Sequence, residues 1–376
     1  MKIARIRHLF YPDMPRDYFY ELSSMQVKSG HTVDVITWLK NPENLSKEKI
    51  EDNFYVHRVN GFNLVPTFVE QDYPFLPCLP SKLEQVRPDV VHGESHLFLP
   101  TIQALRKAKK LKIPCVITVH GVFADRGFEI NLAQNIYLRT IGLSALRSAD
   151  KVICLTKSDA SQIEKLGCRS EKIAIVQNAV DTDFFKPLKD RNDNLIVWAG
   201  RFVEEKGVKY LIEAARNISI NRPDAKILLV GYGPLKGKII EMAYRLGLLN
   251  KSIFIEGPFG RDKIAQILGK ATVFVFPSSK EGMSISLLEA MSCELPVVAF
   301  NVPGIAEIID HEKTGLMVQT RNSQQLTEAI TYLLNSKAKR KELGVNARNY
   351  VIQNNSWKTV QSSLDKIYSN VVSGKN

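Results

Sequence analysis

Ala271-Thr-Val-Phe-Val-Phe276, Pro277-Ser-Ser-Lys-Glu281-Gly-Met-Ser-Ile-Ser-Leu-Leu-Glu289-Ala-Met-Ser292 and Pro296-Val-Val-Ala-Phe300 lie in one nearly continuous stretch. The first and last pieces are short apolar runs, the pattern of buried strands. Between them Ile285, Leu288 and Met291 recur at helical spacing. Glu281 therefore falls in a loop at the carboxyl end of a strand, and Glu289 in the first turns of the helix that follows. In open α/β sheets, ligands bind in the crevice outside the carboxyl ends of the strands. Two carboxylates there can accept hydrogen bonds from the hydroxyls of one polyol, and a charged acceptor bonds roughly twice as strongly as a neutral one.

The same alternation runs through the chain. In the first half, strands are predicted near 2–9, 32–37, 89–92, 114–119, 151–155 and 173–177. Helices are predicted there near 16–29, 97–110, 131–148 and 157–166. The second half has strands near 195–199, 226–230, 253–256, 272–276 and 297–300, separated by helices near 206–219, 235–246, 261–269 and 285–292. Strands alternating with helices of this length imply βαβ units and parallel sheets. A length of 376 residues suggests two or three domains. The polar run Lys186-Pro-Leu-Lys-Asp-Arg-Asn-Asp-Asn194 is the best linker. The expected division is 1–185 and 186–355, followed by an apolar-periodic helix over about 356–376.

Composition narrows the function classes. Apolar residues at 44% and charged residues at 24% are ordinary for a globular chain. The five cysteines are scattered and form no Cys-x-x-Cys pair or Cys/His cluster, which argues against zinc and a disulfide framework. No apolar run reaches the ~18 residues of a membrane span. Met1-Lys-Ile-Ala-Arg-Ile-Arg7 leads directly into a strand, so no signal peptide is read and a cytoplasmic setting is expected. A net charge of +12 suits anionic ligands such as a nucleoside diphosphate or an anionic membrane. Nucleic acid is not an expected partner, because no helix-turn-helix, zinc-finger or aromatic-rich RNA-binding signature is present.

Gly200-Arg201 follows the run Leu195–Ala199, and Lys206-Gly207 opens the next helix. Glycines admit close backbone approach, and a helix amino terminus favours anions. Arg201 and Lys206 add two cations there, enough to neutralise a diphosphate leaving group. A glycine turn with two solvated cations is the bland alternative. Gly231-Tyr-Gly233-Pro234 and Gly257-Pro258-Phe-Gly260 follow the next two strands. His120-Gly121 and His92-Gly-Glu94-Ser-His96 end strands in the first half, where a lone histidine is most often satisfied by local backbone. The cations of Arg106-Lys107-Ala-Lys109-Lys110-Leu-Lys112 read first as a solvated helix end and second as a contact with anionic lipid.

Taken in order, these motifs resemble the retaining glycosyltransferases of family 4. The likeness covers nearly the whole chain and is strongest from Asn178 to Gly315, where Asn178-Ala-Val-Asp181 resembles the family's hinge segment. It implies the GT-B fold, an α/β architecture of two Rossmann-like domains with parallel sheets facing across a cleft. It also implies that the terminal helix returns to the first domain. The implied activity moves a hexosyl group, with retention and without a metal ion, from a UDP- or GDP-linked donor to a sugar or lipid-linked acceptor. No separate cofactor is implied. By the same resemblance Arg201 and Lys206 serve the diphosphate, Glu281 the transferred sugar and Glu289 the ribose. Gly200, Gly231, Gly233, Pro258, Gly282, Met283 and Ser284 would line the donor site, and His120 would bind the donor sugar. The His92–His96 loop resembles one near the acceptor. The first loop, Phe10–Tyr18, departs from the family by lacking a Gly-Gly pair, and Arg16 is its candidate phosphate ligand. Rival readings are a GT-B epimerase or phosphorylase, and a non-catalytic nucleotide-sugar-binding protein. A peripheral position on the cytosolic membrane face would follow from the lipid reading of the cation run.

Overall fold

A computed structural model describes residues 1–10, 18–64, 72–122 and 135–374. Arg16, most of the Phe10–Tyr18 loop and the start of the helix expected at 131 lie outside these residues. The chain forms two compact units, Met1–Gln177 with Gln361–Asn376, and Asn178–Val360. The division falls earlier than the expected 185/186 boundary, for a physical reason. Lys186–Asn194 is a strap fastened to the second unit: Leu188 N–H donates to Gly269 O at 3.0 Å and Asn192 N–H to Lys270 O at 2.8 Å.

The first unit is built on an eight-stranded sheet. Its spatial order is Ile173–Ile175, Lys151–Cys154, Cys115–Val119, Val90–Glu94, Lys2–Ile6, Thr32–Trp38, Phe54–Val59 and Lys47–Glu51. The central strands are buried on both faces, as covering helices require, and are mostly apolar, with Arg5, His92 and Glu94 among the buried polar exceptions. Every pairing is parallel except the last, where Lys47–Glu51 runs antiparallel to Phe54–Val59. This edge departs from an all-parallel sheet because Asp52-Asn53 makes a two-residue turn, with Asn53 at φ +64°. So short a connection can only join antiparallel strands. The terminal helix Trp357–Val372 begins in the second unit and ends in the first. There the buried Tyr368 hydroxyl meets Gln26 and His92, and Asp365 meets His31 at 2.8 Å.

The second unit holds a six-stranded, wholly parallel sheet. Its order is Ile253–Glu256, Lys226–Tyr232, Leu195–Arg201, Val273–Phe276, Val297–Phe300 and Gly315–Val318. Numbered along the chain this is 3-2-1-4-5-6, the doubly wound Rossmann order. Ile196, Trp198, Val273 and Val275 pack with Leu211 and Ile212 of the helix Val208–Asn221 and with Ile330 and Leu333 of Ser323–Asn335. Strand order reverses between Leu195–Arg201 and Val273–Phe276, which pair through Ile196↔Val273 and Val197↔Phe274. The loops leaving these two strands therefore diverge to opposite faces and open a crevice at the carboxyl edge.

Candidate active site

The two loops at this switch point are joined. After Arg201 a single 3₁₀ turn, Glu204–Lys206, leads to Gly207 and the next helix. After Phe276 the chain runs through 277–284 into the helix Ile285–Ser292. Ser279 N–H donates to Glu205 O at 2.8 Å. Lys206 Nζ donates to Glu281 Oε2 at 2.5 Å, with the side chains 23% and 14% exposed. The same ammonium lies 5.4 Å from the centre of the Phe276 ring. Gly207 sits at φ +61°, and a Cβ there would lie 1.9 Å from Pro277 O. Only glycine accepts both that backbone conformation and that approach.

The Glu281 loop is braced from the other side. A Cβ on Gly304 would lie 2.2 Å from Glu281 O, so this glycine lets the two backbones touch. Asn178 Nδ2 donates to Met283 O at 3.1 Å, and Asn355 Nδ2 donates to Asn178 O at 2.9 Å. Met283 and Ser284 are buried at the start of the helix, and no acidic residue occupies its first turn. Free N–H groups and the helix dipole there favour an anion. Glu289, in the second turn, is also buried. Beside Gly200 and the exposed Arg201, the Gly231–Gly233 loop is fixed by Phe202 N–H to Tyr232 O at 2.7 Å and Leu235 N–H to Phe202 O at 3.0 Å. Lys236 Nζ reaches Gly257 O, next to Pro258, at 3.2 Å. The anticipated second-unit residues thus lie at strand ends, on loops or in the first two turns of a helix along the carboxyl edge of one sheet. A cation, a carboxylate and a helix amino terminus are grouped there, a set able to hold a ligand both anionic and hydroxylic.

Asp181-Thr-Asp183 has the spacing of paired metal-binding carboxylates. Here Asp181 Oδ2 takes Arg261 at 3.0 Å, and Oδ1 accepts from Asp183 N–H at 3.2 Å and Phe184 N–H at 2.9 Å. Among the described residues no group of three His, Cys, Asp or Glu side chains could hold a metal ion.

His120 lies in the first unit, just beyond the strand Cys115–Val119. Its partner is a side chain rather than local backbone: Nε2 lies 2.7 Å from Glu94 Oε2. Glu94 is buried and is ion-paired with the fully buried Arg5. Burial opposes the Glu94 charge, but Arg5 and the hydrogen bond from His120 outweigh it and hold the carboxyl well below its usual range. His92 is spent inside the unit, Nδ1 on Tyr368 Oη at 2.6 Å and Nε2 on Thr118 Oγ1 at 2.7 Å. Burial pushes its pKa down to about 3, so it is neutral. It is therefore unavailable to a ligand of the loop it belongs to. In the basic run, Lys107 Nζ pairs with Glu84 at 2.7 Å. Lys107, Lys109 and Lys110 form the last turn of Leu99–Lys110, where cations complement the helix carbonyls.

Residues 17–184 match the family model described as Glycosyltransferase Family 4, and residues 179–350 match Glycosyl transferases group 1. An uncharacterised glycosyltransferase of Methanocaldococcus jannaschii is 30% identical over 282 residues, covering 74% of this chain and 75% of that one. The chain belongs to glycosyltransferase family 4. Solved structures similar to this transferase share its GT-B fold at lower identity. A sucrose-phosphate synthase from Thermosynechococcus elongatus superposes with a TM-score of 0.82 at 18% identity, over 99% of each chain. The Anabaena protein HepE, solved in complex with UDP-glucose, gives 0.78 at 17% identity, over 98% of this chain and 100% of that one.

Gly304 and Asn355 shape the candidate site but carry no motif, because they brace a loop from a distance in sequence; Asn178 stands in the hinge-like motif, but its contact with Met283 is not written in that motif. Arg5 carries a visible signal: a cation between the apolar residues Ala4 and Ile6 of the strand Lys2–Ile6 must find a buried partner.

Proposed function

We propose that this transferase moves a sugar from a nucleoside diphosphate donor to an acceptor hydroxyl with retention of anomeric configuration and without a metal ion. The observation that carries the proposal is the Lys206–Glu281 pair at the switch point. It sets a cation suited to a diphosphate beside a carboxylate suited to sugar hydroxyls. In this reading Arg201, Lys206 and the start of Ile285–Ser292 stabilise the departing diphosphate, the largest electrostatic demand of the reaction. Glu281 orients the sugar, Glu289 the ribose, and the Gly231–Gly233 and Pro258 loops line the nucleotide. His120 is a hydrogen-bond partner for a sugar hydroxyl. The UDP-glucose bound to HepE supports the donor class, and family membership supports retention and metal independence.

The test incubates the protein with UDP- and GDP-linked hexoses and acceptor sugars, following free nucleoside diphosphate. The product's anomeric proton is then read by NMR. Acceptor-dependent release with a retained anomer is expected. Inversion would overturn the proposed mechanism, and donor epimerisation without transfer would favour the epimerase reading.

A further inference from the structure

We infer that Glu94 is a positioning residue for His120, fixing the ring so that Nδ1 is the atom offered to the ligand. The inference rests on the proposal that His120 binds a sugar hydroxyl, and it concerns which atom does so. His120 Nε2 lies 2.7 Å from Glu94 Oε2, while the other carboxylate oxygen is bonded to Arg5. Arg5 is fully buried, and its second amino group donates to Gln26 Oε1 at 2.7 Å. Gln26 Nε2 in turn donates to Tyr368 Oη at 3.0 Å, and Tyr368 reaches His92. A guanidinium does not give up its proton in a protein, so its buried partner must be ionised. An ionised carboxylate only accepts hydrogen bonds. The proton between Glu94 and His120 therefore belongs to Nε2, and the tautomer follows from chemistry rather than from a choice of drawing. The Phe19 ring meets the imidazole edge-on at 5.2 Å and limits its rotation. Nδ1 carries no hydrogen bond to any described residue. A neutral ring offers it as an acceptor for a hydroxyl. The terminal helix enters this chain of bonds through Tyr368, so a residue near the end of the sequence helps to seat one placed a third of the way along.

A purely structural Glu94, needed only to neutralise Arg5, would not govern the ring proton. The experiment that separates the roles is ¹⁵N–¹H NMR of histidine-labelled full-length protein, assigned with His120→Ala. In the wild type the neutral His120 ring is expected as the Nε2–H tautomer. In Glu94→Gln the amide oxygen is held by Arg5, which can only donate, so the amide NH2 faces the ring, Nε2 must accept, and the Nδ1–H tautomer is expected. The variant's kcat should drop about 10²-fold, as for a misplaced catalytic group. Donor KM should stay within about twofold, the pattern of an interaction made in the transition state. An Nδ1–H tautomer in the wild type would overturn the inference. So would an unchanged tautomer together with unchanged kcat in Glu94→Gln. Should Glu94→Gln not fold, the wild-type tautomer and Tyr368→Phe decide. Tyr368→Phe is expected to broaden or shift the His120 signal, and no change there would count against the linkage. Full activity of His120→Ala would instead remove the proposed role of His120, a separate failure that the tautomer measurement does not depend on.

Discussion

Gly207→Ala should damage this transferase far more than a methyl group suggests. At φ +61° a residue with a Cβ carries roughly 1–2 kcal/mol of strain. The new Cβ would also lie 1.9 Å from Pro277 O, where ordinary contact begins at 3.4 Å. Relief needs the two loops to separate by roughly an ångström or more, and overpacking of this kind costs about 1–3 kcal/mol. Together these suggest about 3 kcal/mol, or roughly 6–12 °C in the melting of a unit of this size. The movement also pulls Ser279 from Glu205 and Lys206 from Glu281. A misplacement of about 1 Å in a catalytic site can cost 10²-fold in rate. Gly237→Ala is the matched control. A Cβ there meets nothing within 4 Å, and the residue lies in the helix Lys236–Arg245. It should leave turnover intact and add up to about 1 kcal/mol. Calorimetry and nucleoside diphosphate release measure both variants. Wild-type melting and turnover in Gly207→Ala would refute the close packing of these loops.

Arg201→Ala and Lys206→Ala are each expected to lower turnover by about 10²–10³ with circular dichroism unchanged, as for loss of one preorganised charge partner. Near-normal rates in both would reject their diphosphate role. Excess EDTA should leave the rate unchanged; loss restored by Mg²⁺ or Mn²⁺ would disprove metal independence. The first unit should weaken in acid. Burial holds His92 at about 3, His96 at about 4 and, with Arg7 adding to the effect, His8 at about 3, against an unfolded value near 6.5. The unfolded chain thus takes up protons that the folded unit refuses. Stability is full above about pH 6.5 and drains away as pH falls toward 4, by about 2 kcal/mol per histidine at pH 5. Equal melting temperatures at pH 7.5 and pH 5 would contradict this.

Much of the second unit is legible in its sequence because each signal is local. A parallel strand buried on both faces reads as an apolar run, and a glycine pair or a Glu at its end marks the crevice. Val273–Phe276, the Glu281 loop and Ile285–Ser292 stand where their residues indicate. What local pattern could not supply was bracing over long separations. Asn178 and Asn355 are 177 residues apart. The strand Lys47–Glu51 is not legible because it is charged and at most half-buried, and its turn lacks glycine. Lys337–Asn355 is hard to read for a related reason: its buried face is narrow, with Leu343, Gly344, Ala347 and Val351 among charged and amide residues. His120 was legible as a strand-end histidine, but its carboxylate partner was not. Glu94 and His120 come together only because Val90–Glu94 and Cys115–Val119 pair in parallel, with Glu94 opposite Thr118.

The most direct test of the account is the position of a nucleoside diphosphate in a crystal of this protein soaked with UDP or GDP. The diphosphate is expected within hydrogen-bond distance of Arg201 and Lys206 and near the first turn of Ile285–Ser292. The ribose should lie on Glu289. A diphosphate bound away from both cations, or a metal ion bridging it to carboxylates, would contradict the assignment of this switch point as the donor site.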